Sequence, residues 1–88
     1  MEKQKAIEVL NSMEIVESES DDDIMIFIYV DNSAENREKL MSLGVSEYDV
    51  NMGTNDHKGE NDVLDLSHFA WSFAQWFDGE RFLDYIPN

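Results

Sequence analysis

The chain has 88 residues, of which 20 are Asp or Glu and only 6 are Lys or Arg, so its formal net charge is −14. A charge of this sign repels nucleic acid and anionic lipid and attracts a basic protein surface, so we expect no direct binding to nucleic acid. The absence of cysteine excludes disulfides and thiolate chemistry and fits a reducing compartment, which predicts a cytoplasmic location.

Length and apolar content together predict one folded domain over residues 1–88. Hydrophobic residues make up 42% of the chain. That fraction supports one hydrophobic core but not two in a chain of this size. The longest apolar run, Ile24 to Val30, is too short to cross a bilayer, so no membrane association is expected.

The N-terminal part of the chain predicts one helix followed by a pair of strands. Residues 3–13 carry apolar side chains at helical spacing. Residues 14–19 favour a strand, and residues 20–23 form an acidic turn. The run at 24–30 is rich in β-branched and aromatic residues on both of its faces, which predicts a central strand covered on both sides.

The middle of the chain predicts a helix, a strand and a loop. Residues 31–33 offer helix-capping side chains for a helix over 34–43, and Gly44 provides a left-handed stop. Polar and apolar residues alternate over 45–52, which predicts a third strand with one wet face. Residues 53–61 are polar and contain two glycines, so we expect a mobile loop.

The C-terminal part predicts the longest helix of the chain, over residues 63–78. Asp62 is its expected N-cap, and Gly79 is its expected end. The apolar segment at 82–86 should then fold back onto the domain. The predicted element order is therefore α-β-β-α-β-α, an α+β two-layer domain in which helices pack on a three-stranded sheet, with a right-handed β-α-β step if its strands are parallel.

Metal ligands are present, but their spacing is not that of a known metal site. A calcium-loop frame from Asp49 to Glu60 fails because Gly53 falls where an oxygen ligand is needed. His57 and His68 are the only histidines, and they are interpreted as a loop side chain and a helix-surface side chain. We therefore expect no metal and no cofactor.

Catalytic motifs are also missing from the sequence. No serine has the surroundings of a nucleophile elbow, and the scattered glycines form no phosphate-binding loop. The carboxylates of the acidic turn should stay ionised in water, so they cannot divide into a general acid and a general base. We expect a protein that is not an enzyme, and we keep an enzyme with a site shared between subunits as the third alternative.

The first candidate binding surface is an acidic hairpin. Six acids without any base fall within residues 14–23, namely Glu14, Glu17, Glu19, Asp21, Asp22 and Asp23. Alternate strand residues lie about 6.7 Å apart on one face, so Glu17, Glu19 and Asp21 should form a row of negative charge. The alternative is a solvated hairpin tip whose acids discourage edge-to-edge pairing of strands.

The second candidate surface lies on the predicted helix over 63–78. Leu64 and Trp71 fall on the side away from the core stripe, which includes Phe69, Phe73 and Phe77. Either the segment at 82–86 covers Leu64 and Trp71 within the monomer, or Trp71 anchors a contact with a partner.

These observations favour a non-enzymatic acidic protein that occupies a basic site on a protein partner, for example the nucleic-acid-binding site of a nucleic-acid-processing enzyme. Such a protein acts as an inhibitor, as a nucleic-acid mimic of the phage anti-defence type, or as an immunity protein. The alternative is a structural or adaptor subunit, or a homodimer, that binds through the helix face around Trp71. In either case the chain is expected to be a monomer or a homodimer.

Overall fold

The computed structural model describes residues 2–21 and 24–86, which form an α+β domain as predicted. Asp22 and Asp23 of the acidic hairpin lie outside the described residues. The helices and strands are α1 (Lys3–Asn11), β1 (Ile15–Asp21), β2 (Ile24–Asp31), α2 (Ala34–Ser42), α3 (Glu47–Met52), β3 (Thr54–Asn55), β4 (Val63–Asp65) and α4 (Ala70–Phe77). Two 3-10 helices follow β4 and α4, at Leu66–Phe69 and Phe82–Tyr85.

The sheet has four strands in the order β1-β2-β4-β3, and every neighbouring pair is antiparallel. The prediction of three strands was therefore wrong, and so was the predicted element order. The sheet contains no parallel pair among the described residues, so the right-handed crossover that a parallel pair would require does not arise. Strand β2 lies inside the sheet between β1 and β4, whereas β1 and β3 form its edges.

Residues 45–52 were predicted as a strand, and this prediction was wrong, because residues 47–52 form helix α3. The side chain of Ser46 accepts the backbone N–H of Asp49 at 3.1 Å, which caps the helix, and two acids occupy its first turn. Val50 is the residue of α3 that is buried in the core. The capping signal at Ser46 therefore decided the local structure, and the alternating pattern was misleading.

The helix predicted over 63–78 is divided into β4, a 3-10 helix and α4. Val63 pairs with Asp31, and Leu64 pairs with Val30. Hydrogen bonding to the backbone of β2 overrides the helical spacing of these two residues. Asp65 then caps the 3-10 helix by accepting the backbone N–H of Ser67 at 3.0 Å. The prediction that a continuous helix begins at Asp62 was wrong.

Apolar side chains from the helices pack on one face of the sheet. Ile28 and Val30 of β2 are fully buried in this core, together with Leu10 of α1, Leu40 of α2 and Phe73 of α4. Burial of each such side chain contributes about 1.5–3 kcal/mol relative to exposure. In residues 2–21 and 24–86, no helix is long and apolar enough to cross a membrane.

Candidate functional site

The face of the sheet opposite the helices carries acidic and aromatic side chains. Glu17 pairs with Tyr29 and Glu19 pairs with Phe27 in the β1–β2 register. Directly opposed residues share a face, so these four side chains lie together. We call this surface, defined by Glu17, Glu19, Phe27 and Tyr29, the open sheet face. The two glutamates are exposed and the two rings are half-buried.

Two β-bulges set which residues reach the open sheet face. The register shifts between Ile15 and Glu17, so that Val16 is an extra residue in β1. A second shift makes Ile26 an extra residue in β2, and both extra residues are exposed. Without the first bulge, Ile15 and Glu17 would share a face. The bulge therefore lets Ile15 pack against the core while Glu17 stays outside.

The predicted acidic residues that the structure describes are all exposed. Glu14 precedes β1, and Asp21 is the last residue of β1. Because the second bulge lies in β2, the alternation of Glu17, Glu19 and Asp21 along β1 is kept. The acidic row predicted from the sequence is thus compatible with the register, and the rings beside it were not predicted.

The two aromatic rings form a flat apolar platform beside the two glutamates. The rings of Phe27 and Tyr29 are stacked, with centroids 4.4 Å apart and planes 20° apart. The Tyr29 hydroxyl accepts a hydrogen bond from Asn55 Nδ2 at 3.0 Å, which holds the Tyr29 ring in place. A stack of this kind presents π-faces and edges to which an aliphatic chain or a cation can bind.

The loop at residues 56–62 folds against one end of this platform. The ring of His57 meets Tyr29 edge-on, with centroids 5.9 Å apart, and its Nε2 contacts the Glu17 carboxylate. The Asp62 carboxylate accepts the backbone N–H groups of His57, Lys58 and Gly59 at 2.8, 2.9 and 3.1 Å. Asp62 therefore organises the loop instead of capping a helix.

The pKa of Tyr29 reflects both its burial and the negative charges around the platform. Burial raises the pKa of Tyr29, and the negative charges of Asp65, Glu17 and Glu19 raise it further. The phenol accordingly keeps its proton to a higher pH than a free tyrosine. A potential that disfavours the phenolate also attracts a cation brought near the ring.

The two long strands carry no Lys or Arg of their own, although Lys58 lies in the loop that folds against one end of the platform. No Lys or Arg occurs from residue 6 to residue 36, a stretch that includes both β1 and β2. On the helices, Lys39 pairs with Glu35 at 3.1 Å and Lys5 approaches Glu8 at 3.7 Å. Lys3 pairs with Glu80 near the C-terminal segment. Acids are therefore partly neutralised on the helical side, whereas neither β1 nor β2 has a base of its own.

Of the two residues that define the second predicted surface, Trp71 is exposed and Leu64 is buried. Trp71 is 91% exposed on α4, so the alternative in which the segment at 82–86 covers it is wrong. Leu64 is fully buried in β4 and faces the core, because it belongs to the sheet and not to the helix. It does not share a surface with Trp71, and we withdraw it as a partner-binding residue.

The C-terminal segment packs on the flank of α4 instead. The Phe82 ring meets Phe73 edge-on with centroids 4.9 Å apart, and Tyr85 stacks on Phe77 at 5.4 Å. Between α4 and this segment lies a cavity of about 230 Å³, lined by Ala70, Ala74, Phe77, Glu80, Arg81, Phe82 and Leu83. Sequence reasoning missed this cavity, although the two alanines one turn apart, 70 and 74, are a signal of free space on a helix face.

No three His, Asp or Glu side chains come together as a metal site within the part of the chain that the structure describes. His57 lies in the loop against Glu17, and His68 is exposed in the 3-10 helix that precedes α4. No protein-family model, curated protein or solved structure matches this chain.

Proposed function

We propose that this protein is a non-enzymatic binding protein whose open sheet face occupies a basic site on a protein partner. The observation that carries the proposal is the register of β1 on β2, which sets Glu17 beside Tyr29 and Glu19 beside Phe27. This role is that of an inhibitor, a nucleic-acid mimic or an immunity protein. The lack of cysteine fits a reducing compartment, so the proposal places the interaction in the cytoplasm.

The chemistry of the open sheet face suits lysine and arginine side chains. Their aliphatic stems can lie on the stacked rings of Phe27 and Tyr29, and their cationic heads can reach the Glu17 and Glu19 carboxylates. A cation over an exposed ring gains about 0.5–1 kcal/mol, and more once water is excluded. Because a groove that binds phosphates is lined by the same cationic groups, carboxylates at this spacing can compete for it.

The overall charge supports fast association with such a partner. With a net charge of −14, the chain steers a basic surface toward itself, and gains of about 10- to 1000-fold in association rate are typical of focused fields. The solvated-tip alternative assigns the acids only to solubility. A net charge of about 2–8 in magnitude is sufficient for that purpose in a small domain.

Affinity capture with matched variants tests the proposal. The tagged protein, E17Q/E19Q and the control E2Q/E38Q are each used to capture partners from a host lysate at 50 mM salt. The two double variants lose the same charge, but Glu2 and Glu38 lie on the helical side. We expect one partner that E17Q/E19Q fails to retain, that the control retains, and that heparin releases. Equal retention by all three proteins would reject the open sheet face as the binding surface.

A second candidate function is a structural or adaptor subunit, or a homodimer, that binds through the helix face around Trp71. The 91% exposure of this side chain favours it, since exposed tryptophans are enriched among the anchors of interfaces. In this case W71A prevents partner capture while E17Q/E19Q retains the partner. Sedimentation velocity over a range of protein concentrations separates a homodimer from a complex with another protein.

A further inference from the structure

The cavity beside α4 has the size and lining of a site for one large apolar group. Its volume is about 230 Å³, and an apolar cavity of about 150 Å³ is enough to hold a benzene molecule. Five of its seven lining residues are apolar, namely Ala70, Ala74, Phe77, Phe82 and Leu83. A cavity with such walls holds water poorly, so an apolar side chain placed in it displaces little that is well bound.

The cavity is accessible from the surface, and Trp71 is a neighbour on α4 of one of its lining residues. Ala70, Ala74 and Glu80 are exposed residues that also line the cavity. Trp71 precedes the lining residue Ala74 by three positions, and side chains at this spacing are neighbours on the surface of a helix. A ring that is 91% exposed beside an apolar opening can close over a group bound there.

Charge selects the kind of molecule that can supply this group. Two exposed acids, Asp78 and Asp84, follow lining residues of the cavity. The lining itself holds one acid and one base, Glu80 and Arg81, and Glu80 already pairs with Lys3. A second copy of the chain would bring another net charge of −14 against these acids, and like charges suppress association. A partner segment with Lys or Arg beside its apolar residue gains from both features of the site.

We infer that the cavity between α4 and the C-terminal segment binds one apolar side chain of a basic, amphipathic partner segment, with Trp71 covering it. The inference extends the proposed binding of a basic partner, because it names a second contact that recognises shape as well as charge. This contact lies on the helical side of the molecule, away from Glu17 and Glu19. Substitutions can therefore abolish either contact without affecting the other.

The test uses a 14-residue amphipathic peptide of leucine and lysine as the probe and a lysine–alanine peptide of equal charge as its control. Titration calorimetry measures the affinity of each peptide for the parent protein, A74L, W71A and E17Q/E19Q. A74L fills the cavity without changing the charge, and A70L is a second filling variant if A74L does not fold. Thermal melting verifies the fold of each variant.

We expect the leucine peptide to bind the parent at least tenfold more tightly than the alanine peptide does. A74L and W71A should each remove most of that difference, while E17Q/E19Q should preserve it. If A74L binds the leucine peptide as tightly as the parent does, the cavity is not the site. A second copy as the occupant, revealed by a dimer that A74L dissociates, would also overturn the inference. The open sheet face would stand in either case, because its own test uses different residues.

Discussion

Ile15 and Glu17 lie two residues apart on β1, yet they face opposite sides of the sheet. Ile15 pairs with Val30 above the core, whereas Glu17 pairs with Tyr29 on the open sheet face. Val16, the extra residue between them, produces this change of face. Bulges are common at sheet edges, where they also discourage pairing with other chains. This edge bulge therefore serves the acidic surface and protects the strand that carries it.

The first prediction concerns the pKa of Tyr29. Because Glu17 and Glu19 contribute to its rise, E17Q/E19Q should lower the pKa of Tyr29 toward 10, although burial keeps part of the shift. A raised folded-state pKa means that the related stability is complete below the unfolded pKa of about 10 and is lost at higher pH. Carbon NMR of labelled tyrosine measures the titration, and E2Q/E38Q is the control. An unchanged Tyr29 titration in E17Q/E19Q would show that the glutamates do not act on the ring.

The second prediction concerns the loop at 56–62 and its anchor Asp62. Backbone N–H groups, that of Lys58 first, hold the pKa of Asp62 below its usual range. The stabilisation is therefore present above the unfolded pKa of about 3.9 and is lost as the pH falls through the lower folded pKa. In D62A the amides of His57, Lys58 and Gly59 should exchange with water faster than in the parent at neutral pH. Equal exchange rates in D62A and the parent would show that the carboxylate does not organise the loop.

The third prediction compares two glycines. A Cβ at Gly53 would lie 2.7 Å from Cε1 of the buried Phe69 ring, whereas a Cβ at Gly59 meets nothing within 4 Å. G53A should therefore lower the free energy of unfolding by about 1–3 kcal/mol through overpacking. G59A should change it by less than about 0.5 kcal/mol, as expected at an open surface position. Urea denaturation measures both variants. Equal stability of G53A and G59A would contradict the packing of α3 against the 3-10 helix.

The fourth prediction compares the two tryptophans. The Trp76 Nε1 donates a hydrogen bond to the Leu43 carbonyl oxygen at 2.7 Å, and its ring is half-buried. W76F should lower the free energy of unfolding by about 0.5–1.5 kcal/mol. W71A should change it by less than about 0.5 kcal/mol because the Trp71 side chain is exposed. In W76F, the remaining indole should show the red-shifted, quencher-accessible fluorescence of an exposed side chain. A blue-shifted spectrum would instead mean that Trp71 is covered.

The sequence predicts the fold correctly where several local signals indicate the same element. The run at 24–30 has a β-branched residue at every second position and forms a strand inside the sheet as predicted, but the expectation that both of its faces are covered was wrong, because Phe27 and Tyr29 are only half-buried. Ser33 caps the following helix in the structure as expected, with the Asn36 N–H bonded to its hydroxyl at 3.1 Å. The segment at 63–78 was not predictable, because the pairing of Val63 and Leu64 with β2 is a tertiary contact that overrides helical spacing. The prediction of a strand at residues 45–52 was wrong because a two-residue alternation and a helix cap compete there.

The sequence likewise predicts only part of each candidate site. The exposure of Glu17 and Glu19 followed from their charge, but their position beside Phe27 and Tyr29 depends on two bulges that no local pattern encodes. The exposure of Trp71 depends on where the C-terminal segment packs. Its Phe82 and Tyr85 pack on Phe73 and Phe77, a tertiary contact that no local pattern encodes.

We propose that the open sheet face binds basic side chains, and an NMR titration with a hexalysine peptide tests this claim. At 50 mM salt, the largest shifts should occur at Glu17, Glu19, Phe27, Tyr29 and His57, and the affinity should fall steeply by 300 mM salt because exposed charges become screened. E17Q/E19Q should bind at least fivefold more weakly than E2Q/E38Q, which carries the same net charge. Equal affinity of the two double variants, with shifts centred on the acids of α1 and α2, would contradict the claim.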